Sequence, residues 1–118
     1  MRDSLYDRVA EETASIVIHR YSTSFGLASR LLGVGVRQHV ENIYALVRVA
    51  DEIVDGGAKV DTLQAARALN ELEAETELAL EIGFSSNLVV HAFALTAREV
   101  SFGAELHPVA DAVLGRVK

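Results

Sequence analysis

Apolar and polar positions alternate along this chain with the period of a helix almost throughout. Leu5, Val9, Ala10, Ala14, Ile16, Val17 and Tyr21 recur at helical spacing, with Arg8, Glu11 and Glu12 on other faces, so the pattern predicts a first helix from Leu5 to about Tyr21. Ser22-Thr23-Ser24 interrupts it, because hydroxyl side chains compete for backbone hydrogen bonds and also make good N-caps. A short second helix starting there would carry Phe25, Leu27, Ala28, Leu31 and Leu32, and Gly33 and Gly35 predict a turn. The next helix runs from Val36 to Asp55, with Val40, Ile43, Tyr44, Val47, Val49, Ala50 and Val54 as its apolar positions and Gly56-Gly57 as its stop. Asp61 or Thr62 caps a long helix to about Ile82, whose Glu71, Glu73, Glu75, Glu77 and Glu81 read as a solvated face. Gly83 ends it. Ser85 or Ser86 caps a helix with Leu88, Val89, Ala92, Phe93, Leu95 and Val100 in its core, ending near Gly103, and after Pro108 there is room only for a short final helix. No strand signal, repeat or low-complexity linker interrupts this, and the fold class is all-α, an antiparallel helical bundle in one domain, 1–118.

Composition narrows the role. The chain of 118 residues is long enough to bury about two-thirds of its unfolded surface. Its formal charge of −6 argues against a phosphate-tracking surface, so no nucleic-acid partner is expected. With no cysteine there is no disulfide framework and no thiolate metal site, which suits a reducing compartment, and a cytoplasmic location is expected. No run approaches the roughly 20 apolar residues of a membrane span, and the N-terminus has no signal core. Peripheral membrane contact stays open, as does self-association through exposed apolar helix faces.

The candidate chemistry lies at the end of the third helix. Asp51, Glu52 and Asp55 place three carboxylates in a last turn, where the helix dipole disfavours negative charge, so a positive group should compensate for them. Asp51 and Asp55, four residues apart, would share one face about 6 Å apart along the axis. Tyr44 and Arg48 extend the same stripe, which then offers an anion ligand and cation ligands together. Carboxylates are hard donors suited to Mg²⁺, which keeps several waters and bridges protein carboxylates to substrate phosphate, while arginine holds phosphate through forked hydrogen bonds. Ser22 and Ser24, some 25 residues earlier, form a second anion candidate if a helix begins there. Competing motifs are missing from the sequence: no Glu-x-x-His pair, no histidines four apart, no phosphate loop and no nucleophile elbow. His19, His39, His91 and His107 read as surface or internally satisfied side chains.

Two stretches carry a family resemblance. Tyr21-Ser22-Thr23-Ser24-Phe25 through Leu32, followed by Asn42-Ile43-Tyr44-Ala45-Leu46-Val47-Arg48-Val49-Ala50-Asp51-Glu52-Ile53-Val54-Asp55, resembles the N-terminal part of squalene and phytoene synthases, and Asn87 to Arg98 is also family-like. The resemblance implies a partial isoprenoid-synthase-type fold and a Mg²⁺-dependent head-to-head condensation of two prenyl diphosphates, geranylgeranyl or farnesyl diphosphate, in carotenoid or squalene-type biosynthesis. It implies Asp51 and Asp55 as Mg²⁺ ligands, Arg48, Ser22 and Ser24 as diphosphate contacts, and Tyr44 as a cavity wall. Some relatives have histidine where this chain has Tyr21, which is therefore left outside the diphosphate set. Downstream of Asp55 there is no second pair of aspartates four residues apart, and residues 107–118 depart from the family pattern. The expectation is a truncated domain, weak or inactive alone. The alternative is a non-catalytic helical interaction or assembly module derived from that fold.

Overall fold

The computed structural model describes residues 4–56 and 61–99. Among these residues the chain forms helices α1 (Leu5–Tyr21), α2 (Thr23–Ser29), α3 (Val34–Asp51), α4 (Thr62–Ile82) and α5 (Leu88–Glu99), with a π-helical turn, Glu52–Gly56, continuing α3. No strand occurs among them, and the chain is all-α. The expected final helix after Pro108, the 107–118 segment, His107, Val100 and Gly103 lie outside the described residues.

Each helix starts and stops for a local reason. The Ser4 hydroxyl accepts from the Asp7 amide at 3.1 Å and caps α1, with Asp7 in the first turn and His19 and Arg20 in the last, both favourable to the dipole. At Ser22 the backbone becomes extended (φ −144°, ψ 93°), which ends α1. Gly33 is the extended N-cap of α3, so that helix begins at Val34 and Gly35 lies inside it rather than in a turn. Asp61 caps α4 by accepting from the Gln64 amide at 2.8 Å. Gly83 closes it in the left-handed conformation (φ 77°), its amide donating to Ala79 O at 2.7 Å. The cap of α5 is Asn87 rather than Ser85 or Ser86: its Oδ1 accepts from the Val89 and Val90 amides at 3.0 and 3.2 Å.

α5 is the central post. Every residue from Val89 to Ala97 is buried, with α1, α3 and α4 packed around it. The seam between α1, α3 and α5 is made largely of alanine: Ala10, Ala14, Ala45, Ala50, Ala92, Ala94 and Ala97 are at most 1% exposed. Such small side chains let helix backbones approach closely, and close approach decides which face of α3 turns inward. The buried face is Glu41, Asn42, Ala45, Leu46 and Ala50, whereas Ile43 and Val54, expected in the core, are exposed. The acidic residues of α4 behave as expected, with Glu71, Glu75, Glu77 and Glu81 exposed and Glu73 half-buried.

Two polar groups of α3 are tolerated inside because they are satisfied. Asn42 is fully buried; its Nδ2 donates to Thr96 Oγ1 at 2.9 Å and to Glu11 Oε2 at 3.3 Å, and its Oδ1 accepts from Gln38 Nε2 at 2.9 Å. His39 Nδ1 lies 3.0 Å from the same Thr96 hydroxyl. The Ser15 hydroxyl donates to the buried Glu41 carboxylate. These bonds tie α1, α3 and α5 into one register, since a slip of any helix would strand buried polar atoms.

A second polar lock joins the start of α1 to the loop before α5. His91 is buried, and its Nδ1 accepts from the Ser85 amide at 3.1 Å, which assigns the ring proton to Nε2, 2.7 Å from Asp7 Oδ1. Tyr6 packs edge-on to His91 with centroids 4.6 Å apart, and its hydroxyl donates to Ser85 O at 2.6 Å. Burial pushes the Asp7 carboxyl up, but the hydrogen bond from His91 and those at Ser4 outweigh it and hold the group below its ordinary value. His91 and His39 are thus satisfied histidines, and His19, with Nδ1 2.7 Å from Ser15 O, lies at the surface.

Candidate functional site

Arg48 stands in the last turn of α3, where the helix dipole favours a cation. Its guanidinium carbon lies 4.9 Å from the centroid of the Tyr21 ring at the end of α1. That contact sets the C-terminal end of α3 beside the α1–α2 junction, where Ser22 is half-buried and Ser24 exposed. The separation of about 25 residues and the family resemblance both predict that the serine cluster faces this helix end; in the structure Tyr21, which is outside the predicted diphosphate set, makes the contact.

The expected compensation for the three carboxylates is partly internal. Arg48 Nη2 donates to Glu52 Oε1 at 2.8 Å, an i,i+4 pair legible in the sequence but not read there. Arg48 thus pairs with Glu52 rather than with Asp51 or Asp55. Its Nε is buried and, among the described residues, has no hydrogen-bond partner. An orphaned buried donor costs desolvation energy and calls for an acceptor that the described residues do not supply.

Asp51 is half-buried at the end of the α-helical part of α3, and Asp55 is exposed on the π turn. The amide of Glu52 is shared between Arg48 O and Val49 O, where the ladder changes from α to π. Asp55 therefore does not sit on the regular α stripe with Tyr44, Arg48 and Asp51 that the spacing predicted. It projects from the wider turn that follows. π turns are rare and occur disproportionately at functional sites. Tyr44 is half-buried one turn before Arg48.

Among the described residues no group of three or more His, Asp or Glu side chains converges on one metal position. Two carboxylates suit the requirement of Mg²⁺ for hard oxygens while leaving most of its octahedron to water and substrate phosphate.

The described residues thus form an all-helical bundle in which α3 ends at Asp51, Asp55 follows on the π turn, and Arg48 stands beside the α1–α2 junction that carries Ser22 and Ser24. Over residues 18–118 the sequence matches the squalene/phytoene synthase family, and the chain belongs to that family. The match includes residues 107–118. No curated protein and no solved structure matches the chain. Among the described residues no helix is long and apolar enough to cross a membrane.

Proposed function

We propose that the chain binds a prenyl diphosphate with Mg²⁺ at the α1–α2 junction and the C-terminal end of α3, and that this is the ionising half-site of a head-to-head prenyl transfer of the phytoene or squalene synthase type. The observation that carries the reading is Arg48, stacked on Tyr21 with a buried Nε that has no partner among the described residues. A diphosphate oxygen supplies the acceptor that this nitrogen lacks. Asp51 and Asp55 would hold the metal, which neutralises charge on the departing diphosphate. Ser22 and Ser24 donate hydroxyl hydrogen bonds to the same group, and Arg48 adds a charge-assisted bond that strengthens as the leaving group gains charge. Tyr44, one turn before Arg48, would wall the cavity for the prenyl chain, where exclusion of water protects a carbocation.

Downstream of Asp55 there is no second Asp-x-x-x-Asp pair, so the proposal for these 118 residues is diphosphate binding with low turnover. The test is titration calorimetry with farnesyl and geranylgeranyl diphosphate, with and without Mg²⁺. Mg²⁺-dependent binding that is lost in Asp51→Asn and Asp55→Asn supports the reading; equal binding by those variants and the parent overturns it. The second reading, a non-catalytic assembly module, is favoured by exposed apolar side chains such as Leu63 and Ile82 on α4. Light scattering that shows an oligomer, together with no diphosphate binding, would favour it.

A further inference from the structure

The corner between α2 and α3 reads Arg30-Leu31-Leu32-Gly33-Val34-Gly35-Val36-Arg37, an aliphatic tip bracketed by two arginines. Leu31 is 88% and Val34 74% exposed, and Leu27, Leu32 and Val36 are also exposed. The tip is held in shape: the amides of Arg30, Leu31 and Leu32 donate to Leu27 O, Ala28 O and Ser29 O, each at 3.1 Å. It also stands clear of the body, since a Cβ added at Gly33 or Gly35 would meet nothing within 4 Å. An ordered, projecting loop that keeps its largest aliphatic side chains in water has no folding rationale, because turning them inward would stabilise the fold.

Charge indicates what covers it. Beside the tip, Arg30 and Arg37 line a cleft of about 320 Å³ with His19, Ser15, Gln38 and Glu41. The wall holds one carboxylate, the buried Glu41, against two guanidiniums, so the cleft carries a net positive sign. On a chain of net charge −6 this is a local reversal. Aliphatic side chains flanked by arginines match a surface that is apolar in depth and anionic at its face.

We propose that the α2–α3 corner docks the protein on an anionic lipid bilayer, with Leu31, Val34 and Val36 entering the acyl boundary and the Arg30–Arg37 cleft receiving a lipid phosphate. This inference goes beyond the proposed diphosphate site, uses none of its residues and stands or falls separately. The test is co-sedimentation of the full chain with vesicles of phosphatidylglycerol and phosphatidylcholine, against vesicles of phosphatidylcholine alone. Binding is expected to the anionic vesicles only, to weaken with salt, and to fall about tenfold both in Leu31→Asp/Val34→Asp and in Arg30→Glu/Arg37→Glu. Circular-dichroism melts should leave the melting temperature of both double variants unchanged, since Leu31, Val34 and Arg30 are exposed and Arg37 is half-buried. Four outcomes overturn the proposal: no vesicle binding; equal binding to both vesicle types; Leu31→Asp/Val34→Asp binding as the parent does, with inorganic phosphate competing, which means a free-anion site; or a dimer in light scattering that this variant abolishes, which means the tip covers a second copy.

Discussion

Replacing Arg48 by methionine separates binding from folding. In the parent protein the guanidinium gains an i,i+4 pair with the half-exposed Glu52, worth about 0.3–0.5 kcal/mol, and stacking on the exposed Tyr21 ring, worth about 0.5–1 kcal/mol. Against these stands the buried Nε with no partner among the described residues, whose desolvation costs about 1–3 kcal/mol. Methionine keeps most of the stem's packing and removes all three effects. The balance runs from about 0.5 kcal/mol less stable to about 2 kcal/mol more stable than the parent. At about 4–8 °C per kcal/mol for a domain of this size, Arg48→Met should melt at most a few degrees lower, and as much as ~15 °C higher. The assay is a thermal melt with and without Mg²⁺ and farnesyl diphosphate. Ligand at a hundred times its Kd should add about 2.7 kcal/mol to the parent and nothing to the variant. A loss above about 2 kcal/mol in the unliganded variant would refute the reasoning, because it would make Arg48 a structural anchor whose Nε is satisfied.

Three further outcomes follow from the packing. Asn42→Ala should cost about 2–4 kcal/mol in urea denaturation, since it leaves Gln38, Thr96 and Glu11 without a shared partner inside the bundle; a loss below about 1 kcal/mol would show that the network is dispensable. Asp7 is held below its ordinary value of 3.8, so its contribution is fully present above that pH and is lost as pH falls through the lower folded value. Urea midpoints should therefore drop below about pH 4 in the parent, and this acid limb should flatten in Asp7→Asn; an unchanged limb would assign acid sensitivity elsewhere. Gly83→Ala should cost about 1–2 kcal/mol, from the left-handed backbone and a Cβ that would sit 2.6 Å from Arg98 Nε. In an Arg98→Ala background only the backbone part should remain, and an undiminished loss there would mean that the contact carries no cost.

How much of this the sequence disclosed depends on whether each feature is governed by local or tertiary physics. Helix periods, the Asp61 cap, the Gly83 stop and the solvated face of α4 are short-range effects, and residue pattern alone predicts them. The inward face of α3 is not local. Hydrophobicity selects Ile43 and Val40, but the close alanine seam with α1 and α5 rotates the helix until Glu41 and Asn42 face inward, and only Thr96, Glu11 and Ser15 on other helices make that tolerable. The α5 cap was mistaken because two serines and an asparagine compete within three residues, and their order gives no priority. Around the site, the carboxylates and Arg48 were legible from residue type, whereas the Tyr21 stack depends on where α1 ends relative to α3, which neither segment encodes alone.

The π turn at Glu52–Gly56 has a consequence for insertions and deletions. A ring closed from i to i+5 holds one residue more than the α-helical ring, so deleting one residue here lets the ladder relax to α rather than break. Structurally, this is the position along α3 most forgiving of a one-residue loss. The same loss would bring Asp55 to three residues from Asp51 on a regular α-helix and so reset the separation of the two carboxylates. Length variation at this point would therefore leave the fold intact while altering how the two aspartates are spaced, and an intact fold in such a sequence would be no guide to whether they still work together.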